Sequence, residues 1–140
     1  MSAVVQAARG WIGTPYLHQA SVKGAGADCL GLLRGVWREV LGAEPEAVPR
    51  YSPDWSEATR REDLAAAAQR WLEPVTDWHA GAVLLFRMRD TAVAKHLGIL
   101  SVAGEAAWFV HAYSGHGVVE SPLSQPWRRR VVGLFRFPGH

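Results

Sequence analysis

One cysteine in 140 residues, Cys29, excludes an internal disulfide, so the fold does not depend on an oxidising compartment. Charge of one sign is also scarce. Fifteen Lys and Arg against thirteen Asp and Glu leave a net charge of +2, too small to point to a nucleic-acid partner. Long apolar runs are missing: the longest, "AGAVLLF", is far short of the ~20 residues a membrane helix needs, so no membrane insertion is expected. The N-terminal "MSAVVQAARGWIG" lacks both a basic region and a long apolar region. No secretory signal is therefore expected, and the chain is expected to be made and folded in the cytoplasm. There are no internal repeats and no low-complexity segments. What remains is 49% hydrophobic and 20% charged, which excludes disorder and suits a single domain over 1–140.

A short helix is expected over 3–12, stopped by the turn-like "GTPY". The loop "HQASVKGAGA" then leads to a helix that Asp28 caps and Gly42 closes. Cys29, Leu32, Leu33, Val36, Trp37, Val40 and Leu41 form one apolar stripe on it, so the thiol faces the core. Gly31 and Gly35 share another line, and each costs up to ~1 kcal/mol against alanine. Their presence implies that backbone or substrate comes close there. The proline-rich "EPEAVPRYSPDW" and a second helix over roughly 56–72 follow. From about residue 80 the period turns extended, with strands near "GAVLLFRM", "HLGILSV", "AAWFVHAYS", "GVVESPL" and "RVVGLFRF". Helices first and about five mostly antiparallel strands second make an α+β arrangement.

A thiol at a helix start needs a base. His79 and His140 read as surface residues, and His18 and His116 lie in loops that flank the expected cleft. His96 and His111 stand on adjacent strands joined through "AGEAA". A two-residue turn at Ala103-Gly104 would pair Val102 with Glu105 and His96 with His111, on one face and ~4.5–5.5 Å apart at Cβ. A helix N-terminus carries about +0.5 of a charge, and a neighbouring imidazolium adds to it. Both would lower the thiol's pKa into the range ~3.5–7.5. Cysteine on a helix, base on one strand and orienter on the next meet the needs of a nucleophilic triad. Metal binding is the competing use of these residue types. One cysteine is too few for common structural zinc sites, and "HAYSGH" has no tetrahedral spacing, so no metal or other cofactor is expected. Of the seven tryptophans, Trp37 and Trp71 are expected in the core, and "WRRR" at 127–130 at a strand edge or protein dock.

"WIGTPY", "ADCLGLLRGVW", "HAGAVLLF", "KHLGIL" and "FVHAY", in that order, resemble the NlpC-type cysteine peptidases, papain-like in fold and acting on peptidoglycan stem peptides. "TPYLHQASVKGAGADCLGLLRGVWREVLG", "EPEAVPRYSPDW" and "PWRRR" resemble the phage-type branch, the cell wall peptidases of phage and gene transfer agent tail clusters. The resemblance implies Cys29 as nucleophile, His96 as general base and His111 as orienter. It implies Tyr16 beside the nucleophile in the oxyanion region, and Asp28 as a substrate-side acid that in some members meets the stem peptide's free amine. The chain departs from the family at three places. Leu30 stands where serine is usual, Ala27 where the phage-type branch often has a cysteine, and Gly81-Ala82 where "GD" is common.

The expectation is thus a Cys-His-His stem-peptide hydrolase, carried in a phage-like tail to the recipient cell wall and docked on tail hub or tail-tip proteins. The alternative is a non-catalytic tail-tip or hub part that keeps the peptidase fold. Acyl transfer or amidase chemistry on the same triad also stays open.

Overall fold

The computed structural model describes residues 2–45, 63–88 and 94–140. Helix α1 (Ala3–Arg9) opens on Ser2, whose hydroxyl accepts from the Val5 N–H at 3.3 Å. Two short strands, β1 (Ser21–Val22) and β2 (Gly26–Ala27), form a ribbon just before helix α2 (Cys29–Val40). Helix α3 (Asp63–Trp71) precedes β3 (Glu73–Pro74), β4 (Val83–Arg87), β5 (Ala94–Val102), β6 (Trp108–Tyr113) and β7 (Gly117–Pro122). A single-turn helix α4 (Gln125–Arg128) and β8 (Val131–Arg136) complete the order. The main sheet runs β3-β8-β4-β5-β6-β7, antiparallel throughout, so the α+β expectation holds.

Both faces of this sheet are covered, which is why β4 reads as an unbroken apolar run, "VLLF", up to its last residue Arg87. Val83, Leu85, Leu97, Ile99, Val110 and Ala112 pack with Leu32 and Val36 of α2 and Leu64 and Ala68 of α3. Leu84, Phe86, Leu100 and Phe109 turn the other way and pack with Leu123, Trp127 and Leu134. Each such fully buried side chain contributes roughly 1.5–3 kcal/mol, so the two clusters hold the sheet from both sides.

Several expectations are corrected in detail. The sheet has six strands, not about five, because β3 is only two residues long, too short to show a period. The segment expected as loop before α2 contains the β1–β2 ribbon, and α1 ends at Arg9 rather than 12. The second helix is described only over Asp63–Trp71. The rest of the 56–72 span, like most of the proline-rich connection, lies outside the described residues. The two-residue turn between β5 and β6 is absent. Ile99 faces Val110, Leu100 faces Phe109, and an irregularity precedes Val102 opposite Trp108. One step along this register His111 faces Gly98, where a Cβ would lie 3.4 Å from its own. His96 and His111 are therefore diagonal rather than opposite neighbours. Strand alternation still keeps them on one face.

Candidate active site

Helix α2 is seated closer than side chains normally permit. A Cβ on Gly31 would stand 1.8 Å from the Ala20 carbonyl oxygen, and one on Gly35 would stand 2.0 Å from the Trp11 ring. Both glycines therefore exist for close approach, as their cost in a helix implies. The Ser21 hydroxyl donates to the Gly31 carbonyl at 2.6 Å and fastens the same loop to the helix start.

Asp28 holds that start together. Its Oδ1 accepts from the Gly31 N–H at 2.7 Å, and its Oδ2 accepts from the Gln19 N–H at 2.8 Å. Gln19 has φ +64°, a left-handed turn that aims its amide at the carboxylate. His18 is partly exposed with Nδ1 3.8 Å from Oδ2, and its Nε2 meets the Gln19 side-chain amide at 3.2 Å. The carboxylate expected to meet substrate is buried and caps the helix, with the partly exposed His18 beside it. Tyr16 is carried on a strap. Leu17 N–H donates to the Ala27 carbonyl, Ala27 N–H to Pro15, Gly13 N–H to Val118, and Val118 N–H to Thr14.

Cys29 is the first residue of α2 and remains partly exposed. Backbone N–H groups of Leu97, Leu30 and Cys29 itself face its sulfur. Leu97 follows His96 on β5, and this contact ties the helix start to the histidine strand. His96 Nε2 lies 2.9 Å from His111 Nδ1, and His111 Nε2 lies 3.1 Å from the Ser121 hydroxyl. Both rings are buried in an aromatic box. Phe109 stacks on His111 at 4.1 Å, and Trp127 stands 5.7 Å from His96 and 5.1 Å from His111. Tyr113 closes another side at 6.0 and 5.5 Å, with His116 stacked on it at 5.2 Å.

Burial decides the charges. Desolvation, with a smaller push from His111, lowers His96 to about 3, and desolvation with His116 lowers His111 to about 4. Burial and then the Asp28 carboxylate push the Cys29 thiol up to about 12, against the pull of its three backbone donors. The expected lowering of the thiol is thereby reversed: burial disfavours the thiolate and the imidazolium alike. Tyr16 is pushed to about 12 by burial, then by Cys29 and Asp28, so it remains a donor phenol.

Tyr16, Asp28 and Cys29 are thus gathered at one helix start, and His96 and His111 are bonded to each other. Sequence reasoning passed over Ser121 and Trp127. Ser121 faces Phe109 across the β6–β7 hairpin, so it was within reach of a register count from the turn at 114–116. Trp127 left no local signal. It was grouped with a basic run, but it packs inside the aromatic box while Arg128 lies over Trp78 at 4.8 Å.

A cysteine at the start of a sheet-packed helix, beside a strand that carries one of two bonded histidines, defines a papain-like α+β protein. Comparison narrows this class. The chain belongs to the NlpC/P60 family, whose model matches residues 13–136 and whose members are cysteine peptidases or hydrolases. It is 30% identical over 135 residues to the gamma-DL-glutamyl hydrolase of Bacillus subtilis (strain 168), a match covering 96% of this chain and 29% of that protein. It shares its fold with a solved NlpC/P60 family protein from Bacillus cereus ATCC 10987, with TM-score 0.65 and 18% identity over 98% of this chain and 40% of that one. The chain therefore spans less than half the length of either.

Proposed function

We propose that this chain is a thiol hydrolase that cuts a peptidoglycan stem peptide at an amide bond made by D-glutamate. The observation that carries the reading is the buried, bonded His96–His111 pair on neighbouring strands, with the N–H of Leu97, the residue after His96, meeting the Cys29 sulfur. The similarity to a gamma-DL-glutamyl hydrolase supports glutamate at the cleaved bond.

In this mechanism Cys29 and His96 rest neutral. As Sγ attacks the amide carbon, the thiol proton passes to His96 Nδ1, the ring nitrogen not engaged by His111. The oxyanion is received by backbone N–H at the helix start and by the Tyr16 phenol. Collapse breaks the C–N bond, His96 returns the proton to the leaving amine, and a thioester remains. Water then attacks the thioester, gives its proton to His96, and releases a carboxylic acid and the thiol. His111 accepts the N–H of His96 and keeps the ring aligned. Asp28 acts as the cap that places Cys29.

The phage-type words of the sequence support a further part of the reading: the enzyme travels in a phage-like tail, docked on hub or tail-tip proteins, and acts on the recipient wall. Purified sacculi incubated with the protein should release fragments whose masses place the cut beside D-glutamate, and Cys29→Ser should release none. His111→Asn should retain more activity than His111→Ala, since an amide oxygen still accepts from His96. Release by wild type and Cys29→Ser alike, or by neither, would overturn the hydrolase and leave a structural tail part.

A further inference from the structure

We infer that Ser121 is a positioning residue: it accepts a hydrogen bond from His111 and so sets the direction of a three-membered chain that leaves His96 Nδ1 bare. The inference rests on the hydrolase reading and concerns which proton sits where. The chain is His96 Nε2 to His111 Nδ1 at 2.9 Å, then His111 Nε2 to Ser121 Oγ at 3.1 Å. Each neutral ring carries one N–H, so the protons can run only one of two ways. In the first, His96 donates from Nε2, His111 accepts at Nδ1 and donates from Nε2, and Ser121 accepts. In the second every bond is reversed, Ser121 donates, and His96 carries its proton on Nδ1. Only the first leaves a lone pair that can take the thiol proton.

The imidazolium formed in the reaction must donate from Nε2, so His111 must then accept at Nδ1. A chain already running that way needs no ring proton moved at that moment. Ser121 suits the part. It is partly exposed, so its own O–H can turn to solvent while its lone pair faces the imidazole. The neighbouring Glu120 does not compete, because its carboxylate accepts from Ser101 and Arg9. His111 is 1% exposed, so without Ser121 its Nε2 would lose its partner in a dry site.

The test joins a turnover assay to nitrogen-15 NMR of the histidine rings. Wild-type protein should show His111 protonated on Nε2 and bare on Nδ1. Ser121→Ala should show a mixture of tautomers and lose about five- to tenfold in kcat, with KM unchanged, the scale of one net hydrogen bond. Ser121→Thr keeps the hydroxyl on a strand and should restore both readouts. His111 protonated on Nδ1 in the wild type, or Ser121→Ala matching wild type in tautomer and kcat, would overturn the inference. The ring spectra need no turnover. A wild-type protein with the expected tautomers but no hydrolysis would therefore sink the hydrolase and keep the chain's direction, whereas active protein with reversed tautomers would do the opposite.

Discussion

Acidification should unfold this protein through two histidines that the fold keeps neutral. His96 and His111 are held near 3 and 4 in the native state, against 6.5 for an ordinary histidine. Below pH 6.5 the unfolded chain therefore takes up protons that the folded chain refuses. Stability is complete above 6.5 and falls as pH drops toward the folded values. At pH 5.5 each histidine costs about 1.4 kcal/mol, so the pair costs about 3 kcal/mol relative to pH 7.5. That is a large part of the roughly 5–15 kcal/mol that stabilises a domain. Glu44 and Glu120 are lowered by their hydrogen-bonded partners, Arg34 and Arg38 for one and Ser101 and Arg9 for the other, although partial burial pulls them up. They titrate below this window. Urea unfolding at the two pH values measures the loss directly, and the control is His96→Gln combined with His111→Asn. Wild type should lose about 3 kcal/mol more than the double variant. Equal losses in both proteins would refute the reasoning, since the pH dependence would then come from other groups. Hydrolysis lost near pH 5 should follow the unfolding curve rather than a titration of the folded base.

Because burial and Asp28 push the thiol up, iodoacetamide should modify Cys29 at pH 6 no faster than it modifies free cysteine. A faster rate would show that thiolate persists in the resting site. Gly31→Ala forces a methyl group onto the Ala20 carbonyl, a backbone atom that cannot swing away. Overpacking of about 1–3 kcal/mol outweighs the ~1 kcal/mol that alanine gains in a helix. A thermal scan should therefore show a lower Tm, and an unchanged or raised Tm would contradict the close seat.

The order of elements was legible because each signal was local. The Asp28 cap, the stripe on α2 and the extended period after residue 80 can all be read from neighbours in sequence. His96 and His111 were legible as a pair for the same reason, since alternation alone puts residues on one face. Their register was not, because it depends on a five-residue connection and an irregularity in β5 that no apolar pattern marks. The charge state was misjudged for a different reason. A helix start and a nearby histidine are visible in sequence, but the aromatic box that buries the two imidazoles joins Phe109 and Tyr113 of β6 to Trp127 of the distant α4. Burial outweighed the dipole. Asp28 illustrates the same limit: its type and place were plain, while the Gln19 amide that occupies it comes from an unusual backbone turn.

The three N–H groups that face the sulfur belong to the main chain, and that has a consequence for how such a protein changes over generations. A donor supplied by a side chain disappears with a single codon, whereas a donor supplied by backbone survives any replacement that keeps the backbone path. Leu30 stands where serine is usual, yet its N–H still points at Cys29. A change of side chain at 30 thus leaves the donors in place, and the environment of the sulfur is inherited through the shape of a helix turn and of the strand beside it.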